Sequence, residues 1–408
     1  MNLFFELVKF ELKKILSRKR TVIVLALVMI VGALSVFGII IGTYYYTDEN
    51  GGEVAISRYE DEMIERHNGE ALSGRVIDAD LIMEAVEAYK SVVPLESGNY
   101  IGTLEYQNHA RKYSEIYGIV RMTFHLSSLE EFQNLTREQA EQFDAVRRQN
   151  MEQAMMNGAG SENVCRYRQK CLNNSPASLT YEYWGGYYRF VTIMFTTAVM
   201  AGAAIAVMIS GIFSDEYTSG ADSLILSSKH GKGLVIGAKL FTAFLLSAAL
   251  IALLSAISLV ESFLVWGAGG ANGSLELAYG VFPYPITIGQ AALFYFICML
   301  AGCIMFAAIT ALFSSKLKLP FNTIVVMIAL LIVPLFIAVP EGAPAWVDCL
   351  INLLPIGMFT FWHVMLEFQY EILGLVIPPY IFLPVFALIV TCICSYFACR
   401  GFKGHQIS

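Results

Sequence analysis

The charged side chains between two long apolar segments, in the stretch 212–240, have the most chemistry available to them. Asp215 and Glu216 form an acidic pair, and a basic run begins at Lys229 and His230. Carboxylates and ammonium groups brought close together can form ion pairs that hold a loop in one orientation. The apolar turn between them is too short to be stable alone in water, so a membrane surface or another protein must hold it. The stretch therefore predicts a docking segment.

Two further places carry titratable side chains in apolar surroundings. Glu261 lies near the outer end of a long apolar segment, where a carboxylate is costly and often functional. It is a candidate pathway residue, unless tilting of its helix carries it to water. His363 and Glu367 are one helical turn apart and could share a metal, but the aromatic residues beside them favour an interface anchor.

The eight cysteines fall into two groups. Cys165 and Cys171 lie six positions apart in a polar stretch, where an exported location would permit a disulfide. The second group lies in or beside apolar segments and consists of Cys298, Cys303, Cys349, Cys392, Cys394 and Cys399. We interpret these cysteines as small hydrophobic residues and predict no metal site. A pathway for a soft metal is the disfavoured alternative.

Catalytic motifs are absent from the sequence. No segment matches the phosphate-binding pattern G-x-x-x-x-G-K-[ST], although residues 231–239 have its residue types without its spacing. The patterns H-E-x-x-H and G-x-S-x-G are also missing. We predict that the chain has no catalytic residues, is not an enzyme, binds no cofactor itself and has no nucleic-acid partner.

Membrane helices are the elements that must position these residues. Of the 408 residues, 56% are apolar and 15% charged, against about 25% charged residues in an average soluble domain. Apolar runs of about 20 residues, enough to cross a bilayer core about 30 Å thick, recur along the chain. We therefore predict an all-α polytopic membrane protein with six transmembrane helices, at residues 21–44, 188–213, 234–266, 286–313, 321–339 and 379–399.

One further apolar stretch does not fit a clean span. Residues 345–375 are interrupted by Pro355 and Gly357 and carry several charged side chains. Proline and glycine interrupt helices, so this stretch predicts a re-entrant or interfacial segment on the outer side.

The first 20 residues predict a basic amphipathic helix that lies flat in the inner membrane interface. Any basic flank of a span looks partly similar, but the sustained periodicity favours the interfacial helix. Its predicted apolar face consists of Phe5, Val8, Leu12 and Ile15.

The orientation follows from the distribution of basic residues. Lys and Arg cluster before the first span, in the loops after the second and fourth spans, and in the C-terminal tail. The loops at 267–285 and 340–378 contain neither. Because basic loops stay in the cytoplasm, both termini are predicted to be cytoplasmic in a bacterial plasma membrane.

Residues 47–186 are then predicted to form a mostly helical extracellular domain. Thr136 and Gln139 make a capping box, a typical helix start. Acidic residues outnumber basic ones, which favours a solvated surface, or else a surface that gathers cationic substrates such as peptides. Helical patterns are further predicted at 56–65, 80–92 and 105–120.

Four features occur in a fixed order on the predicted cytoplasmic side. They are FELKKILSRKR before the first span, Glu216 after the second, a glycine followed by LILSSKHGKG, and Lys239 entering the third. In this order they resemble the permease subunit of ABC-2 type transporters, over about residues 1–46 and 188–400. The sequence departs from the family pattern at Gly220, which alanine rather than threonine follows, and at His230, where arginine is common.

The resemblance implies a coupling helix within residues 214–233 that inserts into a groove of a separate ABC ATPase subunit, which would bind ATP and Mg. Glu216 and Lys239 would orient the loop. A second permease chain, identical or paralogous, would complete a dimer in the lipid bilayer. The coupling residues implied in this way are Asp215, Glu216, Gly220, Leu224, Ile225, Leu226, Lys229, His230 and Lys239.

The expected function is ATP-driven export of a peptide, a lipid or a drug-like substrate. One alternative is an ATPase-coupled mechanical transmitter, which the sixth span disfavours because such proteins usually have four. Another is a membrane-anchored sensor or scaffold whose outer domain binds a ligand. An intramembrane enzyme is disfavoured because the spans lack paired catalytic residues.

Overall fold

The computed structural model describes residues 3–92, 100–156, 161–280, 284–337, 345–365 and 369–404. Within these ranges the chain is mostly helical and has two short antiparallel hairpins.

The structure describes the following α-helices and β-strands before residue 175. They are α1 (Leu3–Leu16), α2 (Lys19–Ala33), α3 (Ser35–Ile40), β1 (Thr43–Thr47), β2 (Glu53–Ser57), α4 (Arg58–Leu72), α5 (Ala79–Lys90), α6 (Leu104–His109), α7 (Ser114–Phe124), α8 (Leu129–Gln133), α9 (Arg137–Glu141), α10 (Phe143–Met156) and α11 (Glu162–Asn174).

The remaining elements are α12 (Gly185–Ile209), α13 (Gly211–Ser219), α14 (Ala221–Ser227), α15 (Ile236–Trp266), α16 (Leu275–Tyr279), α17 (Ile288–Lys316), α18 (Pro320–Ile332), α19 (Ala345–Asn352), α20 (Pro355–Phe359), α21 (Phe361–Met365), β3 (Tyr370–Ile372), β4 (Leu375–Ile377) and α22 (Pro379–Lys403). A π-helical turn, Gly231–Val235, leads directly into α15.

Four helical segments within the described ranges are long and apolar enough to cross a membrane. They pack on one another, with α17 in contact with α12, α15 and α22. The chain is therefore a helical protein of the membrane-associated class, as the sequence predicts. The four segments are Gly185–Ser219, Gly231–Trp266, Ile288–Lys316 and Pro379–Lys403.

The first predicted span, residues 21–44, is not a single helix. Leu34 leaves the helical conformation between α2 and α3, and α3 ends at Ile40. Tyr44 lies in β1, which pairs with β2, because tyrosine and threonine favour extended backbone. The helical part of this segment is thus shorter than predicted.

The fifth predicted span is also shorter. α18 has 13 residues and is followed by a 3₁₀ turn, Val333–Phe336, that contains Pro334. Proline lacks the backbone N–H that would continue the α-helix. Residues 338 and 339 of the prediction lie outside the described residues.

The part of the chain between α3 and α12 has its own buried core, formed by side chains such as Leu81, Tyr89, Ile116 and Phe132. The predicted capping box at α9 is confirmed. The helix predicted at 56–65 begins later, because residues 53–57 form β2. The helix predicted at 105–120 is divided into α6 and α7 by a 3₁₀ turn.

The segment predicted to be re-entrant or interfacial contains three short helices and a hairpin. Pro355 is at the start of α20, where its missing N–H costs nothing. β3 and β4 pair through a two-residue turn at Leu373 and Gly374, both with positive φ. The hairpin was not predicted, because three-residue strands leave too short a pattern to detect.

The disulfide that the sequence would permit is not formed. Cys165 and Cys171 both lie on α11 and are not joined to each other. Six residues of α-helix separate two Cα atoms by about 9 Å along the axis, beyond the reach of about 7 Å that a disulfide allows. The bond would require α11 to unwind.

Candidate functional site

The segment between α12 and α15 folds into a compact turn at one end of the bundle. α13 continues the line of α12, and Gly220 ends it with a φ of 69°, a conformation that favours glycine. α14 follows, and the π-helical turn returns the chain to α15. A Cβ on Gly231 would lie 1.6 Å from the backbone oxygen of Ile225, so only glycine fits this close approach.

The centre of the site is the ammonium group of Lys239, whose residue is fully buried. Its Nζ lies 2.5 Å from Oε1 of Glu216 on α13 and 2.9 Å from Oε1 of Glu11 on α1. Lys14 on α1 donates to the same Glu216 oxygen at 2.5 Å. Glu216 and Lys239, two of the expected coupling residues, therefore lie in contact, and the network joins α1, α13 and α15.

The network is stable only as a unit. An isolated buried charge is very unfavourable, whereas neighbouring opposite charges offset much of the desolvation cost. Glu11 and Glu216 are each at most 5% exposed, so solvent does little to screen them. Removing any one member leaves the others buried and poorly compensated.

A second ionic contact attaches α13 to the arginines between α1 and α2. Nη2 of Arg18 and Nη2 of Arg20 both lie 2.9 Å from Oδ2 of Asp215. Arg18 also donates to the backbone oxygen of Gly211 at 3.4 Å. Asp215, predicted as a coupling residue, therefore binds the corner between α1 and α2.

The same turn is attached to α17 by hydroxyl groups. Ser314 on α17 donates to the backbone oxygen of Ser210 at 2.6 Å and accepts from the backbone N–H of Phe213 at 3.1 Å. Tyr217 donates to the backbone oxygen of Ser315 at 3.0 Å. A displacement of α13 thus acts on α1, α15 and α17 together.

The predicted apolar contact of the coupling segment is divided between two environments. Leu224, in the middle of α14, is 74% exposed. Ile225 and Leu226 are half-buried and pack against the core of the bundle. Lys229 and His230 are exposed beyond the helix. Only Leu224 of the three apolar residues is available to a partner.

The predicted apolar face of α1 is only partly correct. Val8 and Ile15 are buried and Leu12 is half-buried, but Phe5 is 57% exposed. Glu11 lies on the buried side because the spacing of three and four residues places it with Val8 and Ile15. α1 packs against α15, so its buried side faces protein. The sequence analysis did not single out Glu11. Its spacing from Val8 and Ile15 would have placed this carboxylate on the apolar face of α1.

Glu261 lies on α15 and contacts the broken first segment. Ser35, directly after the interruption at Leu34, donates to its Oε2 at 3.3 Å. The structure gives Glu261 this local partner and does not place it in the cavity described next.

A cavity of about 320 Å³ lies between α12, α15 and α17. Aromatic rings form much of its wall, from Tyr187 and Phe190 on α12 to Phe263 on α15 and Phe296 on α17. Ser255 contributes a buried hydroxyl that has no hydrogen-bond partner among the residues the structure describes. The shape suits an apolar ligand that carries a small number of polar groups.

Two ionic contacts join the α4–α11 region to α12 and to the short helix α16. Glu62 on α4 accepts from Arg189 at 2.7 Å and from the indole N–H of Trp266 at 2.5 Å. Arg147 on α10 lies 2.5 Å from Glu276 on α16, and both are about 5% exposed.

Metal chemistry has no support in the described part of the chain. No group of three or more His, Cys, Asp or Glu side chains in these residues has the geometry of a metal site. His363 is in α21, whereas Glu367, its predicted partner, lies outside the described residues.

The pKa of Glu115 on α7 is raised to about 7 by burial, with an opposing hydrogen bond from the Tyr181 hydroxyl. The folded state therefore holds its proton more tightly than the unfolded state, whose carboxyl has a pKa near 4.5. The stabilisation of the folded state by the protonated Glu115 carboxyl is fully present below about pH 4.5 and is lost as the pH rises through about 7. We expect a loss of roughly 3 kcal/mol in the local unfolding free energy of α7.

Hydrogen exchange of α7 in the full chain at pH 4 and pH 8, corrected for intrinsic exchange rates, measures this loss. Glu115→Gln should remove most of the pH dependence. Glu138→Gln, an exposed carboxyl on α9, should leave it unchanged. Equal pH dependence in the native chain and in Glu115→Gln would contradict the prediction.

Comparison of the whole chain with protein-family models, with curated proteins and with solved structures finds no match in any of the three. The class of the protein therefore rests on its membrane-length helices and on the buried ionic site at their end.

Proposed function

We propose that the chain is the membrane-spanning permease subunit of an ATP-driven ABC transporter, powered by a separate ATPase subunit. The observation that carries the proposal is the ionic network of Glu11, Glu216 and Lys239 beside the short helix α14, on which Leu224 is exposed. An exposed leucine on a firmly held turn is suited to a groove in a partner. The absence of a phosphate-binding motif supports a division of labour in which the partner hydrolyses ATP.

The connections of α14 supply the mechanism of the proposal. A force on α14 passes through Gly220 to α13 and through the π-helical turn to α15. The ion pairs prevent α13 from moving independently of α1 and α15. ATP-driven closure of the ATPase would then move these helices together, and a second permease chain would move symmetrically.

The proposed topology has six spans, with α2 and α3 together forming the first and α18 with its 3₁₀ turn the fifth. Both termini are cytoplasmic, and the region from α4 to α11 lies outside the bacterial plasma membrane. The basic loops support this orientation, and the four membrane-length helices support the spanning arrangement.

The proposed cargo is an apolar or amphipathic molecule, such as a lipid or a drug-like compound. The aromatic cavity between α12, α15 and α17 supports this choice over an ion, because no charged side chain is among its lining residues. Glu261 is not used in this pathway.

The decisive test concerns Leu224 alone, because Ile225 and Leu226 also stabilise the bundle. We expect Leu224→Asp to weaken ATPase binding by about tenfold or more, since a central apolar anchor contributes about 2 kcal/mol or more. Co-purification with the proposed ATPase partner, and its titration, measure the effect. Ser227→Asp is the matched control, because it adds the same charge on an exposed side chain of α14.

Both variants should keep the unfolding temperature of the native chain, since neither residue is buried. Normal ATPase binding by Leu224→Asp would exclude this contact.

A membrane-anchored sensor or mechanical transmitter is the second candidate. The pairs Glu62–Arg189 and Arg147–Glu276 favour it, because they connect the region from α4 to α11 to helices α12 and α16. Vesicles that contain the chain and its ATPase distinguish the two functions. Uptake of a labelled amphiphile into inverted vesicles supports the permease, and ATP hydrolysis without uptake supports the transmitter.

A further inference from the structure

The corner between α1 and α2 carries more positive charge than its partners neutralise. Arg18 and Arg20 share the single carboxylate of Asp215, and both oxygens of that carboxylate are already used by Arg20. One guanidinium charge is therefore in excess at this corner. Lys19, between the two arginines, is exposed to solvent.

Donors at this corner also lack acceptors. Nη1 of Arg18 and Nε of Arg20 are buried and have no hydrogen-bond partner within the described ranges. The hydroxyl of Thr21, a fully buried residue, is in the same condition. Buried donors without acceptors are unfavourable, and a group that accepts from them would relieve that cost.

The backbone adds to the attraction for an anion. α2 begins at Lys19, and no side chain caps its first turn. The N–H groups at the start of a helix point outwards and carry a partial positive charge, which suits a phosphate or another anion. The first turn of α2 and the two arginines thus place hydrogen-bond donors close together at this corner.

The position of the corner identifies the source of the anion. Val22 and Ile23, in the second turn of α2, are 52% and 60% exposed. In a membrane these side chains face acyl chains, so the preceding turn lies at the level of the lipid headgroups. Arg20 is 35% exposed and opens the site at that level.

We propose that Arg18, Arg20 and the first turn of α2 form a binding site for a phosphate group, supplied by the headgroup of a membrane phospholipid. Planar guanidinium groups match phosphate oxygens in geometry as well as in charge. The bound phosphate would fix the corner that holds Asp215 on α13. The proposal requires membrane association but not transport, so it stands or fails separately from the proposed function.

The test uses the purified full chain in detergent micelles and follows its thermal unfolding midpoint. Phosphatidylglycerol, a diglucosyl diacylglycerol with the same acyl chains, and inorganic phosphate are titrated separately. Phosphatidylglycerol should raise the midpoint, and the phosphate-free glycolipid should not. A rise with inorganic phosphate equal to that with the lipid would support the phosphate site but assign it to free phosphate.

Arg20→Met should weaken the apparent affinity for phosphatidylglycerol about tenfold, because it removes a charge-assisted contact. Lys13→Met, which removes one positive charge from an exposed side chain of α1 outside the proposed site, should change the affinity less than about twofold, as expected for an exposed charge. Arg20→Lys retains the charge but loses Nε, and it should weaken binding several-fold. If Arg20→Met does not fold, Arg20→Lys decides the question.

Equal loss of affinity in Lys13→Met and Arg20→Met would overturn the site in favour of general surface charge. Equal stabilisation by the glycolipid and phosphatidylglycerol would overturn the role of phosphate.

Discussion

Replacement of Lys239 by methionine is expected to destabilise the folded chain by roughly 3–5 kcal/mol, since breaking a buried ion pair leaves an uncompensated charge. Methionine has nearly the same length as lysine, so the expected loss comes from charge more than from packing. Glu11 and Glu216 would remain buried around an apolar side chain. Lys14 would still pair with Glu216, but Glu11 would lose the only ion-pair partner that the structure describes for it.

The free energy of unfolding in denaturant-containing mixed micelles measures this effect. Lys232→Met is the matched control, because Lys232 is exposed on the π-helical turn, and it should change stability by less than about 0.5 kcal/mol. The triple variant Lys239→Met, Glu11→Gln and Glu216→Gln should recover much of the loss, because a neutral buried cluster avoids the desolvation of charge. Equal stability of Lys239→Met and Lys232→Met would contradict the network.

The coupling hypothesis makes a further demand on the triple variant. If the charges serve mainly to hold α1, α13 and α15 together, this variant should keep ATPase binding through Leu224 but transmit movement poorly. ATP hydrolysis would then continue while uptake of the labelled amphiphile falls. Full uptake would show that packing alone transmits the movement.

Replacement of Arg147 by methionine is the second large effect, again about 3–5 kcal/mol. Arg147 binds Glu276 and also donates to the backbone oxygens of Pro176 and Ala177, each at 3.0 Å. Burial raises the pKa of Glu276 and Arg147 opposes this rise, so removing Arg147 leaves a carboxyl that favours its protonated form. The destabilisation should therefore be smaller at pH 5 than at pH 8.

Hydrogen exchange in α10 and α16 of the full chain reports this contact locally. Arg166→Met is the matched control, because Arg166 is 72% exposed and pairs with Glu162 on its own helix. An exposed pair of this kind contributes about 0–1 kcal/mol. Equal changes in hydrogen exchange for Arg147→Met and Arg166→Met, with no dependence on pH, would show that the buried pair does not attach α10 to α16.

The sequence alone determined the properties that depend on one segment and its solvent. Apolar runs long enough for a bilayer identified the four membrane-length helices, because length and composition are local quantities. The capping box at Thr136 could also be predicted from the sequence, since both of its hydrogen bonds lie within one helical turn. Glu216 and Lys239 stood out because their order along the chain resembles that of a known permease family.

Only the tertiary structure decided which surfaces meet. Glu11 and Lys239 share a site because α1 packs on α15, and Arg147 finds Glu276 although 129 positions separate them. Periodicity states which side of its own helix a residue occupies, but not which neighbour covers that side. Leu224 is exposed and Ile225 is half-buried for the same reason: the packing of the short helix α14 on the bundle, which no local pattern encodes, selects one apolar residue for the surface.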